Sequence, residues 1–521
     1  MRDSDAATAG VPAAAPRAPA RLAGPDGAGA RRLVDALAAR PATATALVGS
    51  DGSWTVADVL SSSAALAESL RGCGALGVLA DNSPAWVVAD LAALVAGVPR
   101  VPLPAFFTDE QLAHALDAAG VDILLTDQPD RIGALDAGYL PCAEWQGLTR
   151  WRRPRRAVAL PEGTGVVSFT SGSTGSPKGV CLAVDGLVDA AVAVARRLGD
   201  VAIDRHLAVL PLALLLENVA GVYAPLLRGA EVVLPPLATL GWRGMAGFDP
   251  CVLQDAVVRW QPQSAILVPE LLKAWTLALA AAGERAPDGL AFVAVGGARV
   301  DPGAIAAARA AGIPAYQGYG LTECGSVVCL NRPGDDGDGV GRPLDHVTVH
   351  VDDGEVRVAG RAFRGYLGAG ANTGSGQPAF ATGDLGRIDA DGHLHLSGRR
   401  GNLLITSFGR NVSPEWVESA LLAQPAIAQA VVAGDARPWL AAVLVPAPGH
   451  DGDAVAHAVA VANALLPDYA RLGGFTIAAP FTLRNGQATG NGRPVRAAVF
   501  DHHAAGIAAL YATREADHAV S

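Results

Sequence analysis

Ser168-Phe169-Thr170-Ser171-Gly172-Ser173-Thr174-Gly175-Ser176-Pro177-Lys178-Gly179-Val180 packs glycines, hydroxyls and one lysine behind an apolar run, Gly165-Val166-Val167, that reads as the end of a buried strand. Glycines let a backbone approach a ligand and turn its N–H groups inward, hydroxyls add donors, and a lysine adds a mobile positive charge. The combination suits a polyphosphate. A P-loop needs G-x-x-x-x-G-K-[ST]; here Lys178 follows Pro177 and precedes Gly179, with no Ser or Thr after it to hold magnesium, and that reading fails. A flexible Ser/Gly linker is the bland alternative, but it would not follow a strand.

Around this loop lies a chain of 521 residues, long enough for about two to four domains with large cores. Half of its residues are hydrophobic and 17% are charged, an ordinary globular balance; the net charge of −10 and the lack of a basic stripe argue against a nucleic-acid partner. Six cysteines, Cys73, Cys142, Cys181, Cys251, Cys324 and Cys329, show neither C-x-x-C spacing nor paired histidines. Neither a zinc site nor a disulfide framework is indicated, and a reduced, cytoplasmic compartment is expected. The opening residues lack the apolar core of a signal peptide. The most apolar run, Leu207 to Leu227, is interrupted by Pro211, Glu217, Asn218 and Pro225, so no membrane span is expected.

Residues 1–28 are rich in Ala, Pro and Gly without apolar periodicity and read as a disordered tail. From Arg31 strand and helix patterns alternate: a helix over Leu60 to Leu70, a strand at Leu76 to Ala80, a turn at Asn82-Ser83 with Pro84 opening a helix to Val95, then Val98 to Leu103, a helix over Thr108 to Ala119 and a strand at Val121 to Leu125. Such alternation predicts an α/β fold with parallel sheets covered by helices. Leu182 to Leu198 has helical periodicity, and strands follow at Ala230 to Leu234 and Ser264 to Val268. Thr348 to Ala359 alternates apolar and polar residues as a half-exposed antiparallel strand does, which predicts a β-rich subdomain. Gly334 to Gly339 is acidic but lacks the EF-hand's terminal glutamate, so a solvated turn is expected.

Three later stretches carry site chemistry. Ala291 to Ala298 is a strand ending in Gly296-Gly297-Ala298, where a flat ring can approach the backbone at the carboxyl end of a parallel strand; taken alone it is equally a plain tight turn. Tyr316-Gln317-Gly318-Tyr319-Gly320-Leu321-Thr322-Glu323 offers an aromatic face, a hydroxyl and an anionic oxygen suited to Mg²⁺. Asp384, in Thr382-Gly383-Asp384-Leu385-Gly386, presents two acceptor oxygens.

In order, these motifs resemble the adenylate-forming superfamily, which includes acyl-CoA synthetases, peptide-synthetase adenylation domains and luciferases; in style they are nearest to long-chain acyl-CoA synthetases and carboxylate-reductase adenylation domains. The resemblance spans about residues 50 to 500 and includes Asn82-Ser83-Pro84-Ala85-Trp86, Val340-Gly341-Arg342-Pro343 and Ser397-Gly398-Arg399-Arg400-Gly401-Asn402. It implies a large AMP-binding domain over 29–398 and a small, mobile α+β lid over 399–521, hinged near Asn402. It implies ATP, Mg²⁺, a small-molecule acid, and CoA or an acyl carrier protein as acceptor. Thr170 to Gly175 and Lys178 would hold the leaving pyrophosphate, Gly296, Gly297, Ala298 and Tyr319 the adenine with Gly320 beside them in the nucleotide site, Thr322 the α-phosphate, Glu323 the metal, Asp384 the ribose, and Arg399 a ribose hydroxyl or a phosphate oxygen. The loop around Gly409 would line the acceptor channel.

Two departures stand out. Thr489-Gly490-Asn491-Gly492-Arg493 carries an arginine where the superfamily's T-x-x-G-K has a lysine that reaches the substrate carboxylate and the α-phosphate; Arg493 keeps the charge with a different geometry, or is a surface residue. Leu214 stands near the place of a histidine, which makes the acid pocket more apolar or is a packing change. The implied function is ATP-dependent adenylation of an acid with release of pyrophosphate, then transfer to a thiol. Two alternatives stay open: an unusual acid such as nitrite with an amine acceptor in secondary metabolism, and a nucleotide-binding relative that no longer adenylates.

Overall fold

The structure is a computed structural model that describes residues 27–170, 177–244, 247–337, 339–368, 379–407, 410–490 and 492–519. Ser171, Gly172, Ser173, Thr174 and Gly175 of the expected phosphate loop lie outside the described residues, as do Gly409, Asn491 and residues 1–26 of the expected tail.

The helix Gly27–Ala38 begins inside the span read as tail, because Leu33, Val34 and Leu37 form a buried stripe. Gly29 lets this helix close on the helix Val184–Arg197: its N–H donates to the Asp185 carboxylate at 2.6 Å, and a Cβ there would lie 2.8 Å from the Asp185 backbone.

Two large sheets follow from the predicted alternation. In one of nine strands, Ala315–Tyr319, Phe292–Val295, Ser264–Leu267, Arg205–Leu207, Glu231–Val233 and Thr45–Gly49 run parallel in that spatial order. In the other, of eight strands, Val166–Thr170, Arg100–Pro102, Leu76–Leu79 and Ile123–Thr126 are parallel, with antiparallel strands at both edges. The helix Pro84–Ala96 contacts strands of both sheets. Ser83 caps it by accepting from the Trp86 N–H, Pro84 occupies its first turn, and Gly97 ends it at φ +65°. Eleven of its residues are buried, which is why its pattern is apolar nearly all round rather than striped.

A four-stranded antiparallel sheet follows, Thr348–Asp352, Glu355–Ala359, Phe380–Ile388 and Leu394–Arg399. The stretch read as one strand is therefore a hairpin, turning at Asp353 (φ +49°) and Gly354 (φ +74°), an Asp-Gly pair of the kind that favours tight hairpin turns. Gly334, Asp336 and Gly337 of the acidic loop are exposed, as in a solvated turn, but Asp335 turns inward to Arg197 at 2.5 Å and Arg342 at 3.2 Å, with His393 Nε2 at 3.2 Å, and Asp336 pairs with Arg309. These contacts tie the loop to the helices Val184–Arg197 and Pro302–Ala310 and to the turn before Leu394–Arg399.

Beyond Arg399 the chain builds a separate core. Strands Ile427–Ala433, Leu440–Pro446 and Leu472–Ile477 form one sheet. It packs with Val417 and Leu421 of the helix Pro414–Leu422 and with Val455 and Val459 of the helix Gly452–Leu465. Among the described residues no helix is long and apolar enough to cross a membrane.

Candidate active site

The carboxyl ends of Val166–Thr170, Phe292–Val295 and Ala315–Tyr319 open on one cleft, walled on its far side by Asn402, Glu415, Thr489 and Arg493, with a cavity of about 2640 Å³. Strand ends of open α/β sheets are where backbone groups are left for ligands.

Thr170 and Lys178 face each other as a register pair, so the phosphate loop connects two antiparallel strands instead of running into a helix. That topology is a second reason it is no P-loop. The Lys178 ammonium sits 3.2 Å from the centre of the Tyr366 ring, and the Tyr366 hydroxyl donates to Glu323 Oε1 at 3.0 Å. A cation over an aromatic face is held by the ring quadrupole. Tyr366 thus links the lysine expected to hold pyrophosphate with the carboxylate expected to hold the metal. Burial, and then the Glu323 charge, raise its phenol far above the usual range and keep it a donor.

Gly320 is forced by packing. A Cβ there would lie 1.6 Å from the Ser326 carbonyl oxygen, and Ser326 itself adopts φ +88°. This close approach folds Thr322–Cys324 into a short turn that puts Thr322 and Glu323 on the cavity wall. Asp384, almost fully buried, receives the Tyr319 hydroxyl on Oδ2 at 2.6 Å and the Arg399 Nε on Oδ1 at 2.8 Å. Arg399 lies opposite Asp384 in the register of the adjoining strand. Tyr319, Asp384 and Arg399, read from three separate motifs, therefore form one hydrogen-bonded unit. Each carboxylate oxygen keeps a second lone pair for a ligand hydroxyl.

Gly296 and Gly297 end their strand as expected, Gly297 at φ +85°, and Ala298 is exposed beside them. Arg493 reaches the same turn from the C-terminal part, its Nη2 donating to the Gly297 carbonyl. A Cβ on Gly490 would meet the Phe106 carbonyl oxygen at 2.8 Å, so this glycine lets the loop seat against the large domain. Asn402 Nδ2 donates to Glu415 at the start of the helix Pro414–Leu422.

Leu214, Leu216, Ala220 and Ala294 form an apolar part of the wall. Behind them Glu217, fully buried on an irregular helix, accepts from the Leu210 N–H at 2.9 Å and meets His206 Nε2 at 3.0 Å; His206 Nδ1 contacts Ser264 Oγ at 2.8 Å. Burial raises the Glu217 carboxyl while the His206 contact pulls it back. The sequence carried no signal for Tyr366 or for the His206–Glu217–Ser264 cluster beyond single polar residues in apolar runs, since the partners lie far apart in the chain. No group of three or more His, Cys, Asp or Glu able to hold a metal exists among the described residues.

Residues 34–367 match the family described as AMP-binding enzyme, and residues 402–515 match the AMP-binding enzyme C-terminal domain. A 2-succinylbenzoate–CoA ligase of Bacillus velezensis is 28% identical over 387 residues, 69% of this chain and 74% of that protein. A long-chain-fatty-acid–CoA ligase of Mycobacterium bovis is 40% identical over 144 residues, covering 26% of this chain and 24% of its own. Among solved structures, the amide bond synthetase McbA from Marinactinospora thermotolerans superposes with a TM-score of 0.72 at 26% identity, over 91% of this chain and 99% of its own. The anthranilate CoA ligase AuaEII, in complex with anthranoyl-AMP, shares the fold at 21% identity and TM-score 0.75, over 92% and 98%. The superfamily resemblance and the α/β fold read from the sequence are both borne out.

Proposed function

Because this chain belongs to the family of AMP-binding enzymes and carries that family's C-terminal domain, we propose that it activates a carboxylic acid by adenylation and passes the acyl group to a thiol or amine. The acid's carboxylate oxygen attacks the α-phosphorus of ATP, a C–O–P bond forms, the bond to the bridging oxygen of the β-phosphate breaks, and pyrophosphate leaves with that electron pair. Without a covalent enzyme intermediate, catalysis is positioning and charge stabilisation.

The observation that carries this reading is the convergence on one cleft of Thr322, Glu323 and the Tyr319–Asp384–Arg399 unit with Arg493 from the C-terminal domain, and with Lys178 held at its edge over the Tyr366 ring. In this role Tyr319 and the Gly296–Gly297 turn bound the adenine, Asp384 and Arg399 bind ribose hydroxyls, Thr322 donates to the α-phosphate, and Lys178 with loop 171–176 receives pyrophosphate. Arg493, whose bond to the Gly297 carbonyl supports the role, would neutralise charge on the carboxylate and α-phosphate. Glu323 offers a hard cation one carboxylate, with Tyr366 on its Oε1, so the remaining ligands would come from phosphate oxygens. Mg²⁺ bound there with ATP would neutralise phosphate charge during transfer.

The apolar wall at Leu214, Leu216, Ala220 and Ala294 favours an acid with a carbon skeleton over nitrite, which has nothing to bury there. The named relatives include three CoA ligases and an amide bond synthetase, so CoA and an amine are the acceptors to try first, and a carrier-protein thiol next. ATP–pyrophosphate exchange over aliphatic, aryl, amino and inorganic acids, followed by CoA or an amine, tests the proposal. Exchange with an apolar carboxylate is expected; nucleotide binding without exchange for any acid sinks it and favours a relative that no longer adenylates.

A further inference from the structure

Lys273 lies on the helix Pro269–Ala282 of the large domain, and no motif includes it. Its Nζ donates to three backbone carbonyls of the C-terminal domain: Leu422 at 2.5 Å, Gln424 at 2.7 Å and Ile427 at 2.8 Å. Leu422 is the last residue of the helix Pro414–Leu422 and Ile427 the first of the strand Ile427–Ala433, so the three oxygens belong to one short connection. The last carbonyls of a helix have no partner within it and attract a cation. An ammonium has three donors, and here each finds an acceptor.

The partners' chemistry is informative. Residues 421–430 carry no ionisable side chain, so Lys273 reads the path of the backbone and makes no ordinary ion pair. A surface ion pair between flexible side chains tolerates displacement, whereas three converging carbonyls accept the ammonium in one arrangement only. Rotation of the C-terminal domain about the Asn402 hinge would carry Leu422, Gln424 and Ile427 away together and break all three bonds at once. The arrangement that satisfies Lys273 is also the one in which Arg493 reaches Gly297 and Gly490 abuts Phe106. One domain pose satisfies all three contacts.

We propose that Lys273 is a positioning residue for adenylation: a latch that holds the C-terminal domain in the pose delivering Arg493 to the reacting carboxylate and α-phosphate. It acts through Arg493, touches no substrate, and rests on the adenylation reading above. Because the latch is backbone-directed and reversible, it selects one pose without barring the domain rotation that an acceptor would need.

Lys273→Met keeps most of the volume and removes the donors; Lys273→Arg keeps a cation with a longer reach. Lys273→Met should lower the exchange rate at saturating ATP and acid about 10-fold or more, the worth of hydrogen bonds to a charged group. ATP affinity by equilibrium binding should stay within about 2-fold, since Tyr319, Asp384 and Arg399 precede the hinge. Lys273→Arg should recover part of the rate. Deuterium uptake in 422–428 and 489–493 should rise in the methionine variant and return toward wild type in the arginine one. Unchanged exchange, or ATP affinity falling in step with exchange, overturns the latch. A wild-type protein that exchanges with no acid overturns the adenylation reading instead; uptake at 422–428 then decides the latch by itself, unchanged uptake ending it.

Discussion

Both carboxylate oxygens of Asp384 already have a protein partner, the Tyr319 hydroxyl and the Arg399 Nε. These bonds fix the carboxylate's orientation before any ribose arrives, so removing one partner should loosen the nucleotide without emptying its site. Tyr319→Phe keeps the ring and is expected to raise the KM for ATP several-fold with little change in kcat, whereas Asp384→Ala should raise it about 10-fold or more; initial-rate kinetics of exchange separate the two. Lys178→Ala and Glu323→Ala should each cut exchange by about 10²–10³ while the circular dichroism spectrum stays native. Tyr366→Phe takes the hydroxyl from Glu323 and leaves the ring under Lys178, so it should raise the Mg²⁺ concentration for half-maximal exchange about 10-fold and spare the metal-saturated rate. At this scale the sequence was informative wherever a residue type and its neighbours carried the chemistry, as in Tyr319 to Glu323. It was silent on Tyr366, whose role exists only because the strand Phe363–Tyr366 pairs with Lys178–Leu182 across more than a hundred and eighty residues of chain.

Elements were legible where local signals agree. Ser83-Pro84 before a long apolar run gave the helix Pro84–Ala96 to within a residue, because cap, proline and burial act together. The turn inside 348–359 is marked twice in the sequence: the apolar positions pass from Val349 and Val351 to Val356 and Val358, a change of phase that one unbroken strand cannot show, and the break falls on the Asp353-Gly354 pair. The neighbouring hairpin, Phe380–Ile388 with Leu394–Arg399, bears Asp384 and Arg399, and its turn depends on Asp389. The hydrogen bond from His395, then the His393 N–H, pulls the Asp389 carboxyl down to about 2. A native pKa below the unfolded value near ~3.9 gives stability that is complete above about pH 4 and is lost as pH falls toward 2. Thermal midpoints of wild type and Asp389→Asn should therefore differ near neutral pH and converge at the acid end; parallel curves would remove this turn from the account.

At the scale of the whole molecule, the sequence predicted two parts and a hinge but not how they face each other. Domain pose is set by contacts between surfaces that are remote in the chain: Lys273 with 422–427, Gly490 with Phe106, Arg493 with Gly297. None has a local pattern. Gly490→Ala puts a Cβ 2.8 Å from the Phe106 carbonyl and should cost about 1–3 kcal/mol against the closed pose, slowing exchange without weakening ATP binding. Arg493 then separates the superfamily's two half-reactions. If its guanidinium serves carboxylate attack on ATP, Arg493→Ala should slow exchange by about 10²–10³, and Arg493→Lys should restore much of it, since a lysine reaches the same oxygens as a point charge. If the C-terminal domain rotates away for the second step, attack of an acceptor on the finished acyl-adenylate should be nearly indifferent to either change. Supplying the variants with acyl-AMP of whichever acid supports exchange, and following product formation with the working acceptor, measures that second step alone. Equal losses in both steps would mean that Arg493 holds the C-terminal domain together and takes no part in the chemistry of the first.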